Sequence, residues 1–173
     1  MRQALKLHPD SRGDAVIAVE VDVMRPRDGA LLLSYELTGI IGELRLPPVT
    51  APARADELWR HSCFEVFIRP VGRSAYFEFN FAPSTQWAAY RFDGYRSGMR
   101  ATEIGEPRIE INFAPGQLTL QAALELSALP PGPWCLGLSA VLEEVNGNTS
   151  YWALAHPSGK PDFHHADCFA CEI

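Results

Sequence analysis

Glu65, Glu78 and Asn80 stand at alternate positions of two neighbouring segments, Cys63-Phe64-Glu65-Val66-Phe67-Ile68 and Tyr76-Phe77-Glu78-Phe79-Asn80-Phe81. Carboxylates and an amide offer hydrogen-bond acceptors, and the rings of Phe67, Tyr76 and the nearby Trp59 offer flat apolar faces. That mixture suits a sugar or another small polar ligand, with rings to stack on and acceptors for hydroxyls. Two carboxylates can also flank a glycosidic bond as acid and base. A glycoside-acting enzyme using Glu65 and Glu78 is therefore the alternative chemistry.

Other reactive residues carry less. His156, His164 and His165 gather near the end of the chain with Asp162 and Asp167, residue types that ligate zinc. His164 and His165 are adjacent, so in an extended chain they point to opposite sides and only one could serve. The expectation is a histidine hydrogen-bonded in the loop before the last strand, with no metal site and no cofactor. Cys168-Phe169-Ala170-Cys171 has C-x-x-C spacing without a second pair. With Cys63 and Cys135 it reads as core thiols kept reduced.

The elements that must position these residues are strands. Phe64, Val66 and Ile68 share one face with Phe77, Phe79 and Phe81, and Val71-Gly72-Arg73-Ser74 makes the turn of a β-hairpin. Period-two patterning recurs over 16–23, 31–38, 86–93, 108–114, 117–126, 134–144, 149–156 and 167–173, with 94–107 a loop. Only 54–61 and 124–129 could hold a helical turn. Many short strands with turn signals between them predict an all-β chain, a two-sheet antiparallel, jelly-roll-like β-sandwich spanning 1–173 as one ligand-binding domain. Trp134 heads an apolar strand and reads as core, while Trp87 is a further candidate for the ligand face.

Composition sets the outer bounds. With 173 residues, 47% hydrophobic and 21% charged, the chain can build one sizeable core. A net charge of −6 argues against nucleic acid, whose phosphates draw on clustered Lys and Arg. No apolar run reaches the length of a membrane span. The first residues lack the apolar stretch of a secretion signal, so the expected location is the cytoplasm.

The order of segments resembles the family 9 carbohydrate-binding modules and the related DOMON-like domains. The resemblance is carried by Leu58 to Ile68 and by Tyr76-Phe77-Glu78-Phe79-Asn80-Phe81-Ala82-Pro83. Leu120 to Leu126, Tyr151-Trp152-Ala153 and the tail Pro161 to Phe169 complete it. It implies a sandwich whose concave face binds a sugar clamped between two tryptophans. By motif position Trp59 and Trp152 look like the clamp, Glu65 the carboxylate, Asn148 the amide and Arg91 the arginine. Some DOMON domains bind haem through a methionine and a histidine, which here would be Met99 with His156 or His164. The reading is a non-catalytic domain binding a small polar ligand, first of all a carbohydrate. Haem binding, glycoside chemistry and a protein-interaction module without small ligand are the alternatives.

Overall fold

Strands form wherever alternate residues can be buried on one face. The computed structural model describes residues 1–173. In chain order its strands are β1 (Arg2–Ala4), β2 (Lys6–Leu7), β3 (Val16–Met24), β4 (Ala30–Gly39), β5 (Cys63–Pro70), β6 (Tyr76–Phe81) and β7 (Trp87–Phe92). There follow β8 (Arg100–Ala101), β9 (Arg108–Ala114), β10 (Gln117–Glu125), β11 (Trp134–Glu143), β12 (Thr149–Ala153) and β13 (Cys171–Glu172). They build two antiparallel sheets. The smaller runs β1-β3-β4-β10-β9, the larger β2-β12-β11-β5-β6-β7-β8, with β13 also paired to β11. The architecture is the β-sandwich that the alternation predicts.

The core lies between the sheets. Val19, Val21, Leu33, Tyr35, Leu37, Leu118 and Leu120 of the smaller sheet pack against Phe64, Val66, Ile68, Phe79, Phe81 and Leu138 of the larger. The two layers are also pinned by one buried hydrogen bond, from the Tyr35 hydroxyl to the Glu65 carbonyl at 2.6 Å. In the β5–β6 hairpin Phe64 opposes Phe81, Glu65 opposes Asn80 and Phe67 opposes Glu78. That register puts Phe64, Val66, Ile68, Phe77, Phe79 and Phe81 inward and Glu65, Phe67, Glu78 and Asn80 outward. Gly72 makes the turn possible with φ +77°, a conformation that side chains with a Cβ resist.

The outward face of the larger sheet is largely covered. Phe67, Tyr76, Tyr90, Phe92 and Phe169 form a second buried cluster there, with Leu58, Trp59 and Phe163 packed on it. The cover comes from the chain after β12, which doubles back across β11. Gly137 of β11 lets it lie close: a Cβ at that position would stand 3.2 Å from the Cys168 carbonyl oxygen. This strap holds a single 3-10 turn, Ala166–Cys168, where a longer terminal strand was expected, and β13 is two residues long. Three further strands lay outside the sequence reading. β8 falls in the expected loop, and β1 and β2 are too short for alternation to register. Of the two candidate helical turns, 54–61 holds the 3-10 turn Leu58–Arg60, whereas β10 runs through Glu125. No helix is long and apolar enough to cross a membrane.

Candidate functional site

A cleft of about 570 Å³ opens on the outward face of the larger sheet. Glu65 of β5 and Glu78 of β6 lie in its floor with Phe67 and Phe92. Trp59 and Arg60, from the 3-10 turn before β5, form one side. Arg96, Met99, Phe163 and His164 come from the loops, and Thr149 and Tyr151 from β12. The turn that carries Trp59 is seated by its ring, edge-on to Tyr90 with centroids 5.8 Å apart. Beside it the Tyr90 hydroxyl donates to Asp56 at 2.7 Å.

The floor is unusual in its carboxyls. Glu65 and Glu78 are only 2% and 4% exposed. Because Glu65 opposes Asn80 and Phe67 opposes Glu78, the two glutamates are diagonal neighbours on one face, with backbone positions roughly 7–8 Å apart. Ser139 Oγ donates to Glu65 Oε2 at 3.0 Å, and Asn80 Nδ2 donates to Glu78 Oε1 at 2.7 Å. The second oxygen of each carboxyl meets no protein donor within 3.5 Å. Burial first, and then the charge of Glu78, push Glu65 up to about 8. Burial pushes Glu78 up to about 7 against the opposing help of Asn80 and Arg96.

A relay of polar groups holds the far side. The Arg96 backbone N–H donates to the Tyr76 hydroxyl at 3.2 Å, and that hydroxyl lies 2.9 Å from His164 Nδ1. The other ring nitrogen, His164 Nε2, lies 3.7 Å from Glu78 Oε2. Burial and the neighbouring Arg96 charge lower His164 to about 4. It is thus a neutral ring at ordinary pH, and its approach to Glu78 is no ion pair. Asp162 fixes the loop by accepting from the Arg96 guanidinium at 2.7 Å and from the Tyr95 hydroxyl at 2.5 Å.

The residues read from sequence divide. Trp59, Glu65 and Glu78 line the cleft. Asn80 is fully buried beneath it and acts through Glu78 and Cys63, whose Sγ lies 3.7 Å from Asn80 Oδ1. Trp152 is corrected. It opposes Ala140 of β11 and Leu7 of β2, is 4% exposed, and packs in the inter-sheet core with its indole N–H on Ser150. Its neighbour Tyr151 points to the cleft instead, since successive strand residues face opposite ways. Arg91 is corrected likewise. It opposes Phe77, so its guanidinium sits 6.0 Å from that inward ring, away from the glutamates. Asn148 lies in the turn before β12, its backbone bonded to Asn146 and Glu144, and is not among the lining residues. Trp87 is core, as is Trp134.

Tyr151, Ser139, Arg96, Phe163 and His164 complete the site. Strand alternation around an inward Trp152 would have exposed Tyr151; His164 is the hydrogen-bonded loop histidine that the sequence suggested, whereas nothing local signals Arg96 or Phe163. Met99 and His164 both reach the cleft, the pair that haem ligation would need, but both nitrogens of His164 already face Tyr76 and Glu78. His156 lies elsewhere, its Nε2 on the Lys6 carbonyl at 2.8 Å.

No protein-family model matches the chain, and no curated protein matches it in sequence. Solved structures do share its fold. A protein from Bacteroides uniformis ATCC 8492, to which carbohydrate binding has been ascribed, superposes with a TM-score of 0.69 at 14% identity, over 96% of this chain and 83% of that one. A family 9 carbohydrate-binding module from Caldicellulosiruptor kristjanssonii, solved with cellotriose, gives 0.56 at 13% identity, over 92% and 74%. The structure of a family 9 module from the same organism with glucose gives 0.54 at 12%, over 94% and 78%. The fold of this chain is that of these sandwiches.

Proposed function

We propose that this chain binds a carbohydrate without transforming it, holding a sugar ring in the cleft above β5 and β6. The observation that carries the reading is the meeting of stacking rings and buried acceptors in one concave site. Trp59 and Tyr151 supply the rings. Glu65 and Glu78 present their free oxygens to hydroxyls, with Ser139 and Asn80 holding them in place. Sugar-bound modules of the same fold support it. The four unpaired cysteines suit a reducing, cytoplasmic setting.

One feature favours the glycosidase alternative: burial pushes both floor carboxyls upward, the direction a general acid requires. Their placement argues against it. Acid and base flank a glycosidic bond from two sides, whereas Glu65 and Glu78 rise from adjacent strands of one floor. Turnover of any chromogenic aryl glycoside, lost in Glu65→Gln, would replace binding with catalysis.

Calorimetry and saturation-transfer NMR against mono- and disaccharides test the binding itself. Trp59→Ala and Tyr151→Ala should each weaken affinity about tenfold, the loss expected from one stacking ring. Absence of binding by the wild type across the panel would defeat the reading.

A further inference from the structure

Neither carboxyl in the floor of the cleft has an ion-pair partner, and burial pushes both toward the protonated form. Arg60 is held by Glu57 at 2.7 Å and Arg96 by Asp162 at 2.7 Å, so each guanidinium has a carboxylate of its own outside the floor. His164 is neutral at ordinary pH. Glu65 and Glu78 are left without an ion-pair partner, each more than nine-tenths buried and each with one oxygen that accepts no hydrogen bond, the nearest group to that of Glu78 being His164 Nε2 at 3.7 Å. Two carboxyls kept this way in a site walled by rings cost stability unless a complementary group fills the space between them. The rings point to the same complement. Trp59, Tyr151 and Phe163 line the cleft, and the faces of aromatic rings attract positive charge.

We infer that the ligand carries a protonated amine seated over Glu65 and Glu78, so that the sugar is a hexosamine and not a neutral hexose. This rests on the carbohydrate reading above and narrows it. The ammonium donates to the two unfilled oxygens, which a hydroxyl could also do, but it alone lets both buried carboxyls ionise. An N-acetylated sugar keeps the nitrogen and loses the charge, so it separates charge from shape.

The experiment is calorimetry at neutral pH with glucosamine, galactosamine and mannosamine, each beside its parent hexose and its N-acetyl form. At least one free amine should bind about tenfold more tightly than both of its uncharged counterparts. In Glu65→Gln and Glu78→Gln, which keep the side-chain shape, that ratio should fall toward one. Parent hexoses that bind as well as or better than the amines overturn the inference and leave the carbohydrate reading standing. An unchanged ratio in both variants overturns it too, because the preference then arises elsewhere. Failure of all these sugars to bind removes both. Should either variant not fold, the wild-type comparison alone decides.

Discussion

Trp59 and Trp152 illustrate how one side chain type serves two ends. Trp59 is half-buried at the rim of the cleft, whereas Trp152 is enclosed between the sheets. Trp152→Ala should therefore cost about 3–5 kcal/mol in urea unfolding by leaving a cavity, and Trp59→Ala far less. Equal losses would mean that Trp59 is structural. The buried glutamates make a pH prediction. Folded, Glu65 and Glu78 keep protons that the unfolded chain has lost, so stability falls as pH rises from the ordinary carboxylate range toward about 8. His164 acts oppositely: its folded value near 4 lies below its ordinary 6.5, so it adds stability as pH rises between them. Above 6.5 only the carboxyl slope remains. Stability should drop by on the order of 2 kcal/mol between pH 6.5 and 8, with Glu65→Gln flattening the slope. An unfolding midpoint that stays level or rises across that interval would contradict it. That Glu65 and Glu78 share the outward face was legible from alternation. Which aromatic of β12 lines the cleft was missed by one residue, because Tyr151 and Trp152 are both amphipathic and motif position favoured the larger ring.

Among the elements, β5 carries the site and is fixed from behind. Tyr35→Phe removes the hydroxyl that bonds the Glu65 carbonyl at 2.6 Å and should cost about 1 kcal/mol. Its ring contact with Phe64, at 5.2 Å between centroids, would survive. No measurable change would mean that the sheets are registered by apolar packing alone. The strap over β11 depends on the bare backbone at Gly137. Gly137→Val would press against the Cys168 carbonyl and the Phe67 Cβ, 3.2 and 3.4 Å from the position of a Cβ. It should cost about 1–3 kcal/mol by overpacking and weaken ligand affinity through displacement of Phe163 and His164. Unchanged affinity would separate the strap from the site. The β5–β6 hairpin could be read directly from sequence because its two faces differ so sharply in polarity. The strap could not. Its residues owe their conformation to long-range contacts, such as His164 with Tyr76, that have no period along the chain.

For the molecule as a whole, the four thiols report on enclosure. Cys63, Cys168 and Cys171 are buried and only Cys135 is partly accessible. Thiol titration of the native protein should label Cys135 first and the others only upon unfolding; rapid labelling of Cys63 would show that the site floor opens. The first strands belong to both sheets: β1 pairs with β3 in the smaller and β2 with β12 in the larger, while Leu5 between them enters the common core. This brief segment is a stitch through two layers of cloth, and its brevity protects the seam. Were residues 1–7 removed, the nine-residue β3 and the β12 strand that bears Tyr151 would both become bare edges at one corner, each with unpaired amides offered to another copy. Such a truncated chain should self-associate with rising concentration in light scattering more than the full chain does, although every residue of the cleft is still present.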